Sequence, residues 1–162
     1  MRWLRRILGI RTPEEAMLAQ LGIDPQNRER KIMCDDLVFR FISISEMEAK
    51  LPFRDPRIDP RKFRVLLIGV DHVDVVRREL IQKIREHLPT LFGHAVEAVL
   101  SRAPSDEQEF CAHAKDPSIM IGEDGGGFDG KSWSMAFSWG KGTFGYHVEF
   151  VDLELIEVWG GD

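Results

Sequence analysis

The sequence predicts an α+β fold, in which helices pack on a mainly antiparallel sheet that ends in a C-terminal β-meander. Three observations predict it: alternating aromatic residues over 132–150, helical periodicity in the middle of the chain, and two short apolar runs at 37–44 and 64–70. The chain has 162 residues, of which 43% are hydrophobic and 30% charged, as in ordinary globular proteins. We therefore expect a single domain over 1–162, with a possible subdomain joint at 52–63.

The stretch from 132 to 150 predicts a β-hairpin. Apolar residues occupy every second position on both sides of a Gly-Lys-Gly turn: Trp133, Met135, Phe137, Trp139, then Phe144, Tyr146, Val148 and Phe150. A loop at Lys141-Gly142 pairs them in order from Trp139 with Phe144 to Trp133 with Phe150, while a loop at Gly140-Lys141 shifts the register by two and buries the same face. The opposite face carries mostly small residues: Ser132, Ser134, Ala136, Ser138, Gly145, His147 and Glu149. A surface of this kind meets solvent, admits a helix closely, or fits a partner.

The first half of the chain predicts three helices and a strand. Residues 1–10 form a short amphipathic helix, with Trp3, Leu4, Ile7 and Leu8 on one side and arginines opposite. A capping box at 12–15 opens a second helix that ends at Gly22. Residues 37–44 form a strand with alternate apolar side chains inward. A further box at 45–48 predicts a short helix that stops before Pro52.

The second half predicts a buried strand, more helices and the meander. The run 64–70 lacks alternation, as in a central strand buried on both faces. Asp71 or Asp74 then caps a helix whose inward stripe has a four-residue repeat: Val76, Leu80, Ile84 and Leu88. Pro89 begins another helix, and a capping box at 105–108 opens one that buries Phe110, Cys111 and Ala114. Residues 119–121 begin the C-terminal sheet, and a phase change near 151–154 predicts a tight turn into a last strand at 155–159.

The distribution of charged residues along the chain limits the classes of partner that we expect. The net charge is −5, with 16 basic and 13 acidic groups in residues 1–80 but 6 basic and 14 acidic groups in 81–162. An acidic C-terminal half disfavours nucleic acid binding, since phosphate contacts need clustered Lys and Arg. No apolar run reaches the roughly 20 residues that span a bilayer, and two isolated cysteines favour a reducing compartment. We expect a cytoplasmic protein, in which residues 1–10 form a terminal helix docked on their own domain or on a partner subunit and offer only a weak chance of peripheral membrane contact.

The stretch 125–132, GGGFDGKS, matches the phosphate-binding pattern G-x-x-x-x-G-K-[ST]. That site needs a helix to begin at the Lys and Ser, whereas the residues from Ser132 onward have strand periodicity. We therefore expect no nucleotide site. The acidic residues Glu123, Asp124 and Asp129 form an alternative small-ligand or metal site in this loop, although their spacing matches no EF-hand.

The histidines leave open an alternative function as a hydrolase-like enzyme that uses Asp71 and His72 or His147. Asp71 and His72 follow the predicted buried strand, a place where enzyme sites gather, and His147 lies on the small-residue face of the hairpin. No metal spacing or nucleophile motif accompanies them, so we assign no catalytic, metal or cofactor residue. The sequence favours a non-catalytic interaction or accessory protein, with a protein partner or a homodimer as its complex. The candidate interaction residues are Trp3, Leu4, Ile7, Leu8, Ser134 and His147.

Overall fold

The computed structural model describes residues 30–43, 45–55, 63–70, 72–102, 114–122, 129–139 and 145–161. These residues form one helix and eight strands, so the sheet is the larger part of the described fold. The elements in chain order are β1 (Lys31–Cys34), β2 (Leu37–Phe41), β3 (Glu46–Lys50), β4 (Arg64–Ile68), α1 (Val75–Arg102), β5 (Ala114–Gly122), β6 (Ser132–Trp139), β7 (Gly145–Val151) and β8 (Glu154–Gly161).

The sheet follows the order of the chain from β1 to β8. Every neighbouring pair is antiparallel except β4 and β5, which run parallel with α1 between them in sequence. A parallel pair needs a long crossover connection, and α1 is part of it. The sheet therefore consists of two four-stranded antiparallel meanders that meet at one parallel junction.

The hairpin β6–β7 has the register expected from the Lys141-Gly142 loop. Trp133 lies opposite Phe150, Met135 opposite Val148 and Phe137 opposite Tyr146. The rings of Trp133 and Phe150 stack at 4.2 Å between centroids. The expected pair of Trp139 with Phe144 is not observed, because Phe144 lies outside the described residues.

The predicted turn into the last strand is also confirmed. Asp152 adopts a φ of 55°, in the left-handed region that tight turns use. Its carbonyl oxygen accepts a hydrogen bond of 2.7 Å from Trp133 Nε1. The turn is thus tied to the largest buried side chain of the hairpin.

One face of the sheet and one side of α1 contribute to a common hydrophobic core. Phe92 of α1 contacts Phe137 of β6 at 5.8 Å between ring centroids, and it meets Phe53 and Phe63 edge to face. We call the opposite face of the sheet the outer face. Val38 and Met33 pair there and are exposed, so this face differs sharply from the core side.

The prediction of a helix after Ser45 is wrong, because Glu46–Lys50 forms the strand β3. Its buried side chains, Met47 and Ala49, alternate with outward ones, and β3 pairs with both β2 and β4. The capping-box pattern describes only a local preference. Two rows of backbone hydrogen bonds and a buried alternate face outweigh that preference here.

The two helices expected on either side of Pro89 are one helix, α1. Proline inside a helix costs about 3 kcal/mol, since it removes a hydrogen bond and crowds the preceding turn. The buried stripe continues across it through Leu88, Leu91 and Phe92, and burial of each such side chain is worth about 1.5–3 kcal/mol. The first residue of the expected stripe, Val76, is exposed, while Leu80, Ile84 and Leu88 are buried as expected.

The remaining expectations are settled only in part or lie outside the described residues. The strand expected at 37–44 is present over Leu37–Phe41, with its apolar residues buried. β4 is central, but only Val65 and Leu67 are fully buried, so its outer side is covered less than expected. Ala114 was expected near the end of a helix, but it begins β5. The rest of that expected helix lies outside the described residues. Both helices expected before residue 23 also lie outside them. Most of the joint at 52–63 is also outside them, although Phe53 and Phe63, near its two ends, contact each other.

Candidate functional site

The candidate site lies on the outer face of β6, β7 and β8. Trp133, Met135 and Phe137 point into the core, so the side chains between them must point outward. The hairpin register then places small residues of both strands side by side. We call them the small-residue stripe, and its members are Ser132, Ser134, Ala136, Ser138 and Gly145.

Ser134 has an unusual environment within this stripe. It is only 2% exposed, and its hydroxyl oxygen has no hydrogen-bond partner. Its cross-strand neighbours are Met120 of β5 and Glu149 of β7. A buried hydroxyl without a partner costs about 1–3 kcal/mol, because it gives up its bonds to water. Among the described residues, nothing compensates this cost at Ser134.

His147 lies beside the stripe. It pairs with Ala136 and is a diagonal neighbour of Ser134, at the usual cross-strand separation of about 7–8 Å. Both hairpin residues in the expected interaction set therefore share one surface. The other four, Trp3, Leu4, Ile7 and Leu8, lie outside the described residues.

The imidazole of His147 stacks on the indole of Trp159, with ring centroids 4.1 Å apart and planes 3° apart. Trp159 Nε1 donates a hydrogen bond of 2.8 Å to Glu149 Oε1, which fixes the orientation of the indole. Burial lowers the pKa of His147, while the Glu149 carboxylate acts in the opposite direction. Burial therefore favours the neutral form of the imidazole over the charged form. Three side chains from two strands thus form a rigid aromatic and polar edge beside the stripe.

Sequence reasoning missed Trp159 as a site residue. Its position depends on an irregularity in the β7–β8 register between Glu149 and Phe150. On the β7 side of the irregularity that contains Glu149 and the residues before it, the pairing is regular. Glu157 therefore lies opposite Glu149, and Trp159 lies opposite His147. His147 and Trp159 both lie in alternating runs, which is a sequence signal that they could stack. The irregularity between Glu149 and Phe150 hides their pairing in the sequence.

The described end of the phosphate-binding pattern, residues 129–132, forms a turn before β6. Asp129 accepts hydrogen bonds from the backbone N–H groups of Lys131 and Ser132, and from the Ser132 hydroxyl. These bonds, with Ser132 contributing most, lower the pKa of Asp129. The amides and hydroxyl that would serve a phosphate are thus occupied by a carboxylate. Ser132 then begins a strand, as expected, where a phosphate-binding loop requires a helix.

The metal alternative falls largely on residues 123–128, outside the described part of the chain. Within the described ranges, no group of three or more His, Cys, Asp or Glu side chains is arranged to hold a metal ion. Asp129, the described member of the acidic loop, is engaged by the turn. The small-ligand alternative in this loop stays a prediction.

The catalytic alternative does not bring its histidines together. His72 lies in the connection between β4 and α1, and His147 lies on β7, three strand positions from β4. Three spacings of about 4.8 Å separate such positions by about 14 Å. Asp74 serves as the cap of α1: its Oδ1 accepts a hydrogen bond of 2.8 Å from the Arg77 backbone N–H. Asp71 is outside the described residues.

Comparisons with protein-family models, curated proteins and solved structures give no match to this chain. Among the described residues, no helix has both the length and the apolar character needed to cross a bilayer. The described cysteine, Cys34, is a free buried thiol whose pKa is raised chiefly by burial.

Proposed function

We propose that this protein is a non-catalytic interaction or accessory protein of the cytoplasm, and that it binds a protein partner through the outer face of β6–β8. One observation carries the proposal: the small-residue stripe contains a buried hydroxyl, that of Ser134, without a hydrogen-bond partner. Buried polar groups in proteins are nearly always hydrogen-bonded, so the unsatisfied Ser134 hydroxyl marks a place on this face where the described residues leave a polar contact unmade.

The chemistry of the surface defines the kind of partner. Small side chains allow a backbone to approach closely, and the indole of Trp159, 38% exposed, offers an aromatic anchor beside them. The outer side of β7 and β8 carries Glu149, Glu154 and Glu157, whereas β6, β7 and β8 contain no Lys or Arg. The surface therefore favours an apolar segment with basic side chains.

Site-specific photo-cross-linking in cells that produce the protein tests this proposal. Ser138, an exposed member of the stripe, is replaced by p-benzoyl-phenylalanine, and Glu79, exposed on α1, is the matched control position. Cross-links to a protein partner are expected from position 138 and not from 79. Equal cross-linking from both positions, or partner cross-links from 79 alone, would refute the assignment of the outer face.

A homodimer is the second form of the same proposal, since two copies can bury outer faces against each other. The opposite charges of the two halves of the chain make such contacts between copies electrostatically tolerable. Light scattering after size-exclusion chromatography separates the two forms. A dimer that becomes monomeric on Ala136→Glu supports the homodimer, while a monomeric wild type leaves only a different protein as the partner.

A further inference from the structure

The strand β8 forms one edge of the sheet. It pairs with β7 on one side, and within the described ranges no strand pairs with its other side. Alternate residues of an edge strand direct their N–H and C=O groups away from the sheet, where a further strand can pair with them. The irregularity leaves Ile156 without a partner on β7, but the pairing is regular from Glu157 to Gly161. This stretch therefore offers a regular template for strand addition.

A groove of about 390 Å³ lies between this edge and α1, on the core side of the sheet. Its lining includes Ala98 of α1 and the side chains of Leu155, Ile156 and Val158 of β8, with Arg102 beside them. Ile156 is 57% exposed, so a large apolar side chain is left in contact with solvent at the edge. Apolar side chains on the core side of an added strand would enter this groove and cover Ile156, which is favourable in proportion to the apolar area removed from water.

The outer side of the same edge has a different chemistry. Glu157 and Trp159 lie two positions apart on β8 and point to the same side, and Glu149 lies opposite Glu157. Among the ion pairs of the described residues, none involves either carboxylate. Like charges on directly opposite positions are destabilising. A cationic side chain from an added strand would offset this repulsion and contact the exposed indole of Trp159.

The charges also distinguish between the possible occupants of the edge. β8 carries Glu154 and Glu157 and contains no Lys or Arg. Pairing of β8 with β8 of a second copy would bring these glutamates of the two copies close together, and charged residues on edge strands are a common device against such pairing. A strand from a different protein, with basic residues on its outer side, makes opposite-charge pairs instead.

We infer that the partner adds an extended segment to β8 as a further strand, with basic residues on its outer side and apolar residues on its core side. The inference rests on the proposed function, and it gives the partner's segment a period-two pattern of basic and apolar residues. Backbone hydrogen bonds to β8 supply affinity, while the alternate side chains supply specificity through Trp159, Glu157 and the groove.

Fluorescence anisotropy with the purified full-length protein tests the inference. The probe is a labelled, capped peptide of alternating Lys and Val residues, as long as β8, and we expect saturable binding with a Kd below about 1 mM. The peptide with Glu in place of Lys should bind at least about tenfold more weakly. Glu157→Lys should lower the affinity for the Lys-Val peptide about fivefold. Glu79→Lys, the same charge change at an exposed position on α1, is the matched control and should leave the affinity unchanged.

N-methylation of the peptide tests the backbone pairing itself. In an extended chain the N–H groups of the Lys residues point to one edge and those of the Val residues to the other. Methylation of either set therefore blocks one edge and leaves the other open. We expect one of the two methylated peptides to lose binding and the other to keep it. The set that tolerates methylation then reports whether the added strand runs parallel or antiparallel to β8.

Three results overturn the inference. The first is the absence of saturable binding of the Lys-Val peptide up to about 1 mM. The second is an equal effect of Glu157→Lys and Glu79→Lys on its affinity. The third is an equal effect of the two N-methylations. In each case, partner cross-links from position 138 in cells would still support the proposed function, because the partner would then bind the outer face without pairing with β8.

Discussion

Removal of the Trp133 indole tests whether the β6–β7 hairpin holds the sheet together. The side chain is fully buried, stacks on Phe150 and donates a hydrogen bond to the Asp152 carbonyl oxygen. Trp133→Ala loses the packing of a large aromatic group, about 3–5 kcal/mol, and one hydrogen bond of about 1 kcal/mol. We therefore expect the free energy of unfolding to fall by about 4–6 kcal/mol.

Trp133→Phe separates the two contributions. The ring stacking is retained in part, while the hydrogen bond to Asp152 and some volume are lost, so the expected cost is about 1.5–2.5 kcal/mol. For a chain of this size each kcal/mol corresponds to about 2–4 °C in Tm. A double-mutant cycle with Phe150→Ala should give a coupling of about 0.5–1.5 kcal/mol for the aromatic pair.

The assay is urea denaturation followed by circular dichroism, because the remaining tryptophans would complicate a fluorescence signal. Trp159→Phe is the matched control at a partly exposed position, and its expected cost is below about 1 kcal/mol. A loss below about 1 kcal/mol for Trp133→Ala, or a cycle without coupling, would refute the role given to this pair.

Two further predictions concern the cap of α1 and the titration of the candidate site. Asp74→Ala removes the hydrogen bond to the Arg77 amide and the ion pair with its largely buried guanidinium, so we expect a loss of about 2 kcal/mol in urea denaturation. Asp74→Asn keeps the capping hydrogen bond but loses the ion pair, so its loss of unfolding free energy should be about half that of Asp74→Ala. Equal losses for the two variants would show that the cap contributes nothing. Because the pKa of His147 is lowered in the folded state, its contribution is constant above pH 6.5 and stability falls as the pH drops below that value. His147→Gln should weaken this fall, and parallel pH profiles of the two proteins would contradict it.

The hairpin could be predicted because its two faces differ at every position. Burial of one face fixes which residues point inward, and a short turn limits the pairing to registers that keep the same face buried. The same argument put Ser134 and His147 on a common surface. Alternation alone left two registers that differ by two residues and bury the same face, and the structure selects the one that places Trp133 opposite Phe150.

The elements that failed had short or ambiguous patterns. Met47 and Ala49 alternate over too few residues to compete with a capping box, and only pairing with β2 and β4 selects the strand. Pro89 suggested a helix boundary, but the cost of keeping it inside α1 is offset by core contacts that are distant in sequence. The burial of Ser134 and the stack of His147 on Trp159 depend on neighbouring strands and a bulge, which a single stretch of sequence does not encode.

The parallel junction between β4 and β5 has a consequence for the kinetics of folding. The turn between β7 and β8 joins Val151 to Glu154, whereas the junction pairs Arg64 with Ser118, 54 positions later. By the logarithmic dependence of loop closure on length, the longer loop costs about 2–3 kcal/mol more chain entropy to close. Because each four-stranded half closes short turns by itself, we expect the closure that brings Arg64 to Ser118 to set the height of the barrier. Substitutions that weaken this junction should slow refolding more than substitutions of equal cost in a hairpin turn.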